Sequence, residues 1–262
     1  MTQTNKNWSP SEIKDIVRFS MFWFGFRPHQ YQEKFLQLCL SYKRVLAIWS
    51  RQSGKSTCVA IYTLFKAITC PGIVIIMIAP NQRQSKELYT KVRNMAMANP
   101  NISSIINKST ETELTFNTRS RIISLPCGPD GSGVKGFTGD IVIIEEAGKF
   151  KDSIVNSVVI PMLASKKDEG QIIKIGTPLT RNHFYDSCYK TEMGYNVIKI
   201  SWKECVNAGQ YSQSFIDEQK RNLTDIEFKT EYEAEFVDEA SMFFPMELLE
   251  NSMEEYNLFD IL

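Results

Sequence analysis

Residues 49–57 read Trp-Ser-Arg-Gln-Ser-Gly-Lys-Ser-Thr and lie between an apolar run at 45–48 and a helix-compatible segment at 58–69. A strand, a tight glycine-containing loop and a helix in this order are the context that a phosphate-binding loop requires. The backbone N–H groups that open the helix, together with the helix dipole, favour an anion at that point. The stretch therefore predicts an α/β fold with an anion site at a strand-to-helix turn.

The side chains of this loop suit the phosphates of a nucleotide. Lys55 can reach the β- and γ-phosphates, and the Ser56 hydroxyl can ligate Mg²⁺. The usual pattern, G-x-x-x-x-G-K-[ST], has glycine at its first position, where this chain has Trp49. Gly-Lys-Ser by itself recurs by chance in surface loops, so a second motif has to support this interpretation.

The composition is that of a globular protein without a bulk charge. The 262 residues are 43% hydrophobic and 30 Lys and Arg balance 30 Asp and Glu, so nucleic acid binding would need a local basic patch. With two histidines, and six cysteines that form no C-x-x-C pair, we expect buried thiols in a reducing compartment and no histidine-based metal site. The longest apolar run, at 73–79, is too short to span a bilayer, and residues 1–9 do not resemble a signal peptide.

Strands and helices alternate from residue 45 onward. Apolar, β-branched runs at 73–79, 141–144, 172–175 and 197–200 are typical of parallel strands that are covered on both faces. The remaining predictions are helices at 30–42, 58–69 and 85–97, a hairpin from 114–116 and 121–125, a mobile glycine-rich loop at 128–139, and helices after 212. This alternation predicts an open, mostly parallel sheet flanked by helices.

The two ends of the chain are predicted to form a helical subdomain. Residues 9–12 (Ser-Pro-Ser-Glu) and 224–227 (Thr-Asp-Ile-Glu) both have the form of a capping box, which starts a helix. Alternating strands end near residue 205. We therefore predict a core at 29–204 and a small helical lid or linker subdomain built from 1–28 and 205–262.

A second motif supports the first. The apolar strand at 141–144 ends in two acids, Glu145 and Glu146, whose side chains point in different directions because they are adjacent in a strand. Glu145 can face a metal ion while Glu146 faces the water that attacks the γ-phosphate. The usual metal-side residue is aspartate, and the longer Glu145 allows coordination through a water. Without the loop at 49–57, two solvated carboxylates at a helix start would be the simpler interpretation.

Two weaker motifs complete the pattern. Gly176-Thr177-Pro178 follows the strand at 172–175, where a hydroxyl beside the nucleotide can sense the γ-phosphate; an ordinary turn explains it equally. Residues 27–32 (Arg-Pro-His-Gln-Tyr-Gln) precede the loop, and a glutamine amide can both donate to and accept from adenine. The alternative for Gln32 is a polar helix face.

The combination, in this order, resembles one family. Gln32, the loop at 50–56, the Ile-Ile-Glu-Glu strand end and Gly-Thr-Pro are similar to the ATPase half of the large terminase subunit, the genome-packaging motor of tailed viruses. That family has Arg-Gln before Gly-Lys, so a residue other than glycine at position 49 is expected there. The segments 182–186 and 231–236 are further similarities, and the resemblance extends over roughly 20–240. It implies a P-loop NTPase fold of the RecA-like (ASCE) kind.

The resemblance implies a role for each matching side chain. Gln32 would contact adenine, Lys55 the phosphates, Ser56 and Glu145 the Mg²⁺ ion, and Glu146 the attacking water. Hydrolysis in such a site is positioning and charge stabilisation, with little covalent work for the protein.

The rest of the loop and the Gly-Thr-Pro motif also acquire roles. Arg51 would sense or stabilise the γ-phosphate, since its guanidinium fork matches phosphate oxygens; a salt bridge that packs the loop is the alternative. Thr177 would bind nucleotide and couple loss of the γ-phosphate to movement of the helical subdomain. The remaining nucleotide-binding positions are Gln52, Ser53, Gly54 and Thr57.

The resemblance also implies partners. They are double-stranded DNA, the portal protein, the small terminase subunit and further copies of this chain, in the host cytoplasm and without a membrane. The copies would form a ring on the portal, and a monomer is the alternative in solution. Large terminases continue into a nuclease domain, which we expect on another chain or a longer form of this one. Lys135 acting on a neighbouring subunit's nucleotide is weighed against a solvated loop lysine. Possible DNA contacts are Arg119, Arg121, Lys149, Lys151, Lys166 and Lys167.

Other functions remain open from the sequence. A RecA-like helicase is the closest alternative enzyme, but it needs a second core for which the chain lacks room. A kinase fits less well, because paired glutamates suit activation of water rather than of an acceptor hydroxyl. A nucleotide-dependent assembly module that binds ATP and scarcely hydrolyses it is the non-enzymatic alternative.

Overall fold

The apolar runs of the sequence form one eight-stranded sheet in the computed structural model, which describes residues 15–179 and 181–237. The strands are β1 (Arg44–Trp49), β2 (Val74–Ala79), β3 (Ile106–Ser109), β4 (Glu113–Phe116), β5 (Arg121–Pro126), β6 (Ile141–Glu145), β7 (Gln171–Gly176) and β8 (Asn196–Ile200). The α-helices are α1 (Ile16–Phe24), α2 (Gln30–Ser41), α3 (Lys55–Thr69), α4 (Gln82–Ala98), α5 (Pro100–Ser103), α6 (Asp152–Ile154), α7 (His183–Tyr189), α8 (Trp202–Asn207), α9 (Gln213–Asn222) and α10 (Asp225–Phe228). Helical turns of 3₁₀ or π type extend α6 as far as Glu169 and α10 as far as Glu233.

The sheet has the order β3-β4-β5-β2-β6-β7-β1-β8. The six strands β5, β2, β6, β7, β1 and β8 run parallel to one another. At one edge, β4 pairs antiparallel with both β3 and β5. The predicted fold class is therefore confirmed. Because β7 lies between β6 and β1, the loop after β1, the acids after β6 and the Gly-Thr-Pro turn after β7 all meet at one end of the sheet.

Helices cover both faces of this sheet, as the continuous apolar strands require. One core lies under α1 to α4 and the C-terminal helices, and the other lies under α6, its extension and α7. Trp49, which departs from the usual loop pattern, is fully buried and packs edge-on against Tyr31 and Phe35 with ring centroids 6.0 and 5.0 Å apart. Trp49 thus belongs to the core beneath the loop, and the predicted phosphate-binding backbone begins after it.

The predicted strands and long helices are observed with small shifts of their ends. Helix α3 begins at Lys55 rather than Cys58, and the capping box at Thr224 is present with Glu227. The sequence did not predict β3, α5, α7, α8 or the helical stretch that starts at Asp152. In the glycine-rich loop the structure has a 3₁₀ turn, Ser132–Val134.

The described chain ends contact different parts of the core. Phe19 of α1 packs on Phe65 of α3 with a centroid distance of 5.4 Å, whereas α8 to α10 lie beside the loop after β1. The capping box predicted at 9–12 lies outside the described residues, so the division into a core and a two-ended helical subdomain stays a prediction. All six cysteine thiols are free, and four of them are buried. Among the residues that the structure describes, no helix is both long and apolar enough to cross a membrane.

Candidate active site

The lysine of the loop and the second acid of the β6 end meet in space, although 91 positions separate them. Lys55 Nζ lies 2.8 Å from Glu146 Oε1, and the side chains are only 15% and 19% exposed. Beside them, the Ser56 hydroxyl donates to Glu145 Oε1 over 3.3 Å. The convergence that the two motifs require is therefore observed, with all four predicted side chains at one end of the sheet.

The turn that carries Glu146 holds this residue in an unusual backbone conformation. Its φ of 53° and ψ of 44° lie in the left-handed region, which costs a non-glycine residue about 1 kcal/mol or more. Burial acts to raise the pKa of Glu146, but the charges of Lys55 and of Lys149, 3.5 Å away, outweigh it and hold that pKa below its usual value. Burial raises the pKa of Glu145 despite the Lys55 charge. The two carboxyls are thus electrostatically unlike, as separate roles demand.

Gln32 braces the loop from behind. Its Nε2 donates to the Ser53 carbonyl over 3.1 Å, its Oε1 accepts from the His29 N–H over 2.9 Å, and it is 1% exposed. The φ of 89° at Gly54 lies in the left-handed region, which favours glycine, and a Cβ atom there would displace that Nε2 from its present position. The adenine contact of Gln32 stays a prediction, since one end of its amide already holds the loop and the other caps the start of α2.

Arg51 points toward the C-terminal helices. Its Nε lies 2.7 Å from Glu231 Oε2, and its backbone N–H donates to the Glu231 carbonyl over 3.0 Å. The Tyr211 hydroxyl donates to the Arg51 carbonyl, and Gln210 Nε2 donates to the Gln52 carbonyl over 3.3 Å. The structure therefore has the loop-packing salt bridge that was the alternative for Arg51, and its role at the γ-phosphate stays a prediction.

Thr177 is buried where β7 ends against the acidic turn. A Cβ atom at Gly176 would lie 3.1 Å from the Ala147 backbone nitrogen, and one at Gly148 would lie 3.1 Å from the Thr177 carbonyl oxygen. Backbones approach this closely only because both positions are glycine. A displacement of the Thr177 backbone would consequently require the turn that holds Glu146 to shift as well.

A wall of the site comes from α4, which the sequence analysis did not include. A cavity of about 310 Å³ is lined by Lys55, Ser56, Gln84, Glu87, Leu88, Lys91, Glu145 and Glu146. The side chains of Gln84, Leu88 and Lys91 share one face of α4, at helical spacing. In the sequence, the polar residues Gln84 and Lys91 flank the predicted apolar stripe of this helix. Helical periodicity does not show which part of the fold such residues face, so their place in the site could not be predicted.

The segment 182–186, one of the further similarities, anchors a buried polar cluster. Lys174 is 1% exposed, and its Nζ lies 2.8 Å from the Ser187 hydroxyl and 3.1 Å from His183 Nδ1. The backbone N–H of His183 donates to Asp152 Oδ1 over 2.7 Å. Burial and the charge of Arg44 lower the pKa of Lys174 to about 8. Burial and the Lys174 charge lower the pKa of His183 to about 4. The cluster ties β7, which carries the Gly-Thr-Pro turn, to α7.

Acid is expected to destabilise the protein through His183. Since its pKa is about 4 when folded and about 6.5 when unfolded, the unfolded chain binds the extra proton, and stability is lost as the pH falls from 6.5 toward 4. Linkage gives a loss of about 2 kcal/mol at pH 5 from this residue. Urea unfolding of wild type and His183→Gln at pH 7 and pH 5 measures it, and the variant should lose less stability by that amount. The matched control is His29→Gln, the other histidine; an equal pH dependence in both variants would contradict the prediction.

The basic residues considered for DNA are partly engaged within the chain. Arg121 pairs with Glu113 at 2.7 Å, and Lys166 pairs with Asp140 at 2.8 Å, while Lys149 lies beside Glu146. The contacts of all six candidates with DNA stay a prediction.

Comparison with known proteins places this geometry in a family. A family model described as the large terminase subunit, T4-like virus type, N-terminal, matches residues 46–251. The large terminase subunit of Thermus virus P23-45 is 24% identical, over 84% of this chain and 51% of that protein. The large terminase ATPase domain of Thermus phage P74-26 is 20% identical with a TM-score of 0.67, over 83% of this chain and 97% of that one.

A further solved relative contains a nucleotide. This large terminase of a thermophilic bacteriophage, in complex with ADP, is 12% identical with a TM-score of 0.65, over 80% of this chain and 54% of that one. At these identities the solved structures establish a shared fold. The chain spans about half the length of the curated relatives that it matches.

Proposed function

The chain belongs to the large terminase family, and on that premise we propose that it is an ATPase motor domain that hydrolyses ATP to drive double-stranded DNA into a procapsid. The observation that carries this proposal is the 2.8 Å contact between Lys55 and Glu146 at the carboxyl end of a parallel sheet. An amine for phosphate and an acid for water have to share one site if ATP is to be hydrolysed there.

The proposed reaction assigns a task to each group. The N–H groups of the loop at 52–57 and the Lys55 ammonium bind the phosphates, for which Lys55 exchanges its contact with Glu146 for the triphosphate. The released Glu146 carboxylate then accepts a hydrogen bond from the attacking water and orients it toward the γ-phosphorus. Positioning and charge stabilisation of this kind supply most of the acceleration in phosphoryl transfer.

The donors next to the phosphate site fit Mg²⁺. The Ser56 hydroxyl and the Glu145 carboxylate are 3.3 Å apart and both are oxygen ligands, which this ion prefers. We infer that these two side chains hold it, and when bound it neutralises charge on the β- and γ-phosphates. Removal of Mg²⁺ with EDTA is expected to abolish ATP turnover, and turnover that persists in EDTA would argue against this assignment.

Coupling of hydrolysis to movement would use the contacts around the loop. The backbone approach between Thr177 and the Glu146 turn, and the contacts of Arg51 with Glu231 and Tyr211, join the phosphate site to β7 and to the C-terminal helices. We propose that loss of the γ-phosphate changes these contacts and moves the helical subdomain of 1–28 and 205–262. DNA gripped through its phosphates would then be bound without sequence preference and with strong salt dependence.

The partners and location follow from the same proposal. They are a ring of copies on the portal protein, the small terminase subunit and double-stranded DNA, in the host cytoplasm. Lys135, in the 3₁₀-containing loop before β6, is proposed only as a candidate for contact with a neighbouring subunit.

The decisive experiment measures binding and turnover separately. Titration with a fluorescent ATP analogue reports binding, and phosphate release with Mg²⁺, with and without double-stranded DNA, reports turnover. Binding with sustained phosphate release supports the motor. Binding without release supports the assembly module, and no binding would overturn the nucleotide site itself.

A further inference from the structure

The α4 wall of the active-site cavity carries a cation that the P-loop motifs do not include. Lys91 is half-buried and lines the cavity of about 310 Å³ together with Lys55, Glu145 and Glu146. Its neighbours one and two turns earlier on the same helix face, Leu88 and Gln84, line the cavity too. Helix α4 therefore brings Lys91 into the same cavity as the loop residues Lys55 and Ser56.

The charge of Lys91 also acts on α3, the helix that begins at Lys55. Burial raises the pKa of the Cys58 thiol to about 12, and the Lys91 charge acts in the opposite direction. Cys58 lies one turn after Lys55 in α3, so the charge of Lys91 reaches the turn whose N–H groups would bind phosphate.

Of the charged residues that line the cavity, Lys55, Glu146 and Glu87 are in ion pairs, whereas Lys91 and Glu145 are in none among the residues that the structure describes. Lys55 and Lys149 contact Glu146, and Arg83 pairs with Glu87 at 2.8 Å. Within residues 15–179 and 181–237, no ion pair involves Lys91. A lysine that lines a cleft without an ion-pair partner is a candidate for binding an anion.

We propose that Lys91 is a nucleotide-binding residue that contacts the terminal phosphate of the bound nucleotide. The inference rests on the proposed function and extends it, because it gives the site a second cation and a means to distinguish ATP from ADP. Lys91 lines the same cavity as Glu146, the residue assigned to the water that attacks the γ-phosphate. ADP lacks that terminal phosphate, so in this proposal it makes no contact with Lys91.

The test compares the affinities for a non-hydrolysable ATP analogue, AMP-PNP, and for ADP, both with Mg²⁺. Lys91→Gln is expected to weaken AMP-PNP binding roughly tenfold or more, as for loss of a hydrogen bond to a charged group, and to leave ADP binding nearly unchanged. Lys91→Arg should retain most of the preference, since the charge remains. The matched control is Lys86→Gln on the same helix, where Lys86 pairs with Glu111 at 3.2 Å and lies outside the cavity.

The outcomes separate this inference from the proposed function. A Lys91→Gln variant that binds both nucleotides as the wild type does would overturn the role of Lys91 and leave the ATP site intact. Equal weakening for both nucleotides, with a lower melting temperature, would mean a structural role and would also overturn it. A wild-type protein that binds neither nucleotide would overturn the proposed function, and the inference with it.

Discussion

Glu146→Gln is expected to lower the rate of ATP turnover by about 10²–10⁴-fold, the range for removal of a group that takes part in proton transfer and water positioning. Glutamine keeps the size of the side chain but cannot hold a water as a carboxylate does. ATP binding should be retained, because Lys55 no longer has Glu146 as a competing partner and the loop is untouched. Phosphate release measures the rate, and titration with a fluorescent ATP analogue measures the binding.

A matched control keeps this result specific. Glu169 is an exposed acid that pairs with Lys43 at 3.1 Å, far from the site, so Glu169→Gln removes a carboxylate and an ion pair without touching the cavity. That variant should turn over ATP as the wild type does. If Glu146→Gln is as active as Glu169→Gln, the role assigned to Glu146 is wrong.

The backbone framework could be predicted from the sequence because parallel strands with two covered faces leave an unmistakable pattern. The runs at 73–79, 141–144 and 172–175 are apolar at every position or nearly so, and they became β2, β6 and β7. The strand β3, Ile106–Ser109, was missed because it is a short polar edge strand with two exposed residues in four. Helix α8 had a signal that was overlooked, the capping box from Ser201 to Glu204.

The meeting of Lys55 and Glu146 could be predicted because each residue directly follows a recognisable apolar strand and belongs to a motif. Lys55 lies in the loop after β1 and Glu146 directly follows β6, and the order of the parallel strands brings these two positions to the same end of the sheet. Partners that come from elsewhere in the chain could not be foreseen. Glu231 beside Arg51, and Lys91 on α4, reach the site through tertiary packing, for which spacing in the sequence gives no measure.

The loop shows the same limit from another direction. Gln32 was selected for its amide, and the structure uses that amide to hold Ser53 against the fold. Residue type indicates which bonds a side chain can make, and only the packed structure indicates which of them are already made. Trp49 replaces the first glycine of the usual loop pattern, and the sequence shows no structural reason for it. The structure explains it, because Trp49 is buried against Phe35.

Lys55→Met is expected to weaken binding of ATP by about 10²-fold or more, since it removes a cation that would bond two phosphates at about 1.5–3 kcal/mol each. It should also lower the free energy of unfolding by about 1–3 kcal/mol at pH 7, because the mostly buried Glu146 keeps only the Lys149 contact. The Lys55 charge helps to depress the pKa of Glu146, so this stabilisation is present above the usual carboxyl pKa and is lost as the pH falls through the lowered value. The stability gap between wild type and variant should therefore narrow in acid.

Binding and stability can be separated with a second substitution. In Lys55→Met/Glu146→Gln the uncompensated carboxylate is gone, so stability should return toward that of the wild type while ATP binding stays lost. Lys66→Met, on the same helix and outside the cavity, should change neither property appreciably. Recovery of both stability and binding in the double variant would mean that Lys55 serves only to neutralise Glu146. Recovery of stability alone would mean that Lys55 has two partners, Glu146 in the free protein and the triphosphate in the complex. Hydrolysis at this site requires that exchange, because it releases Glu146 to orient the attacking water.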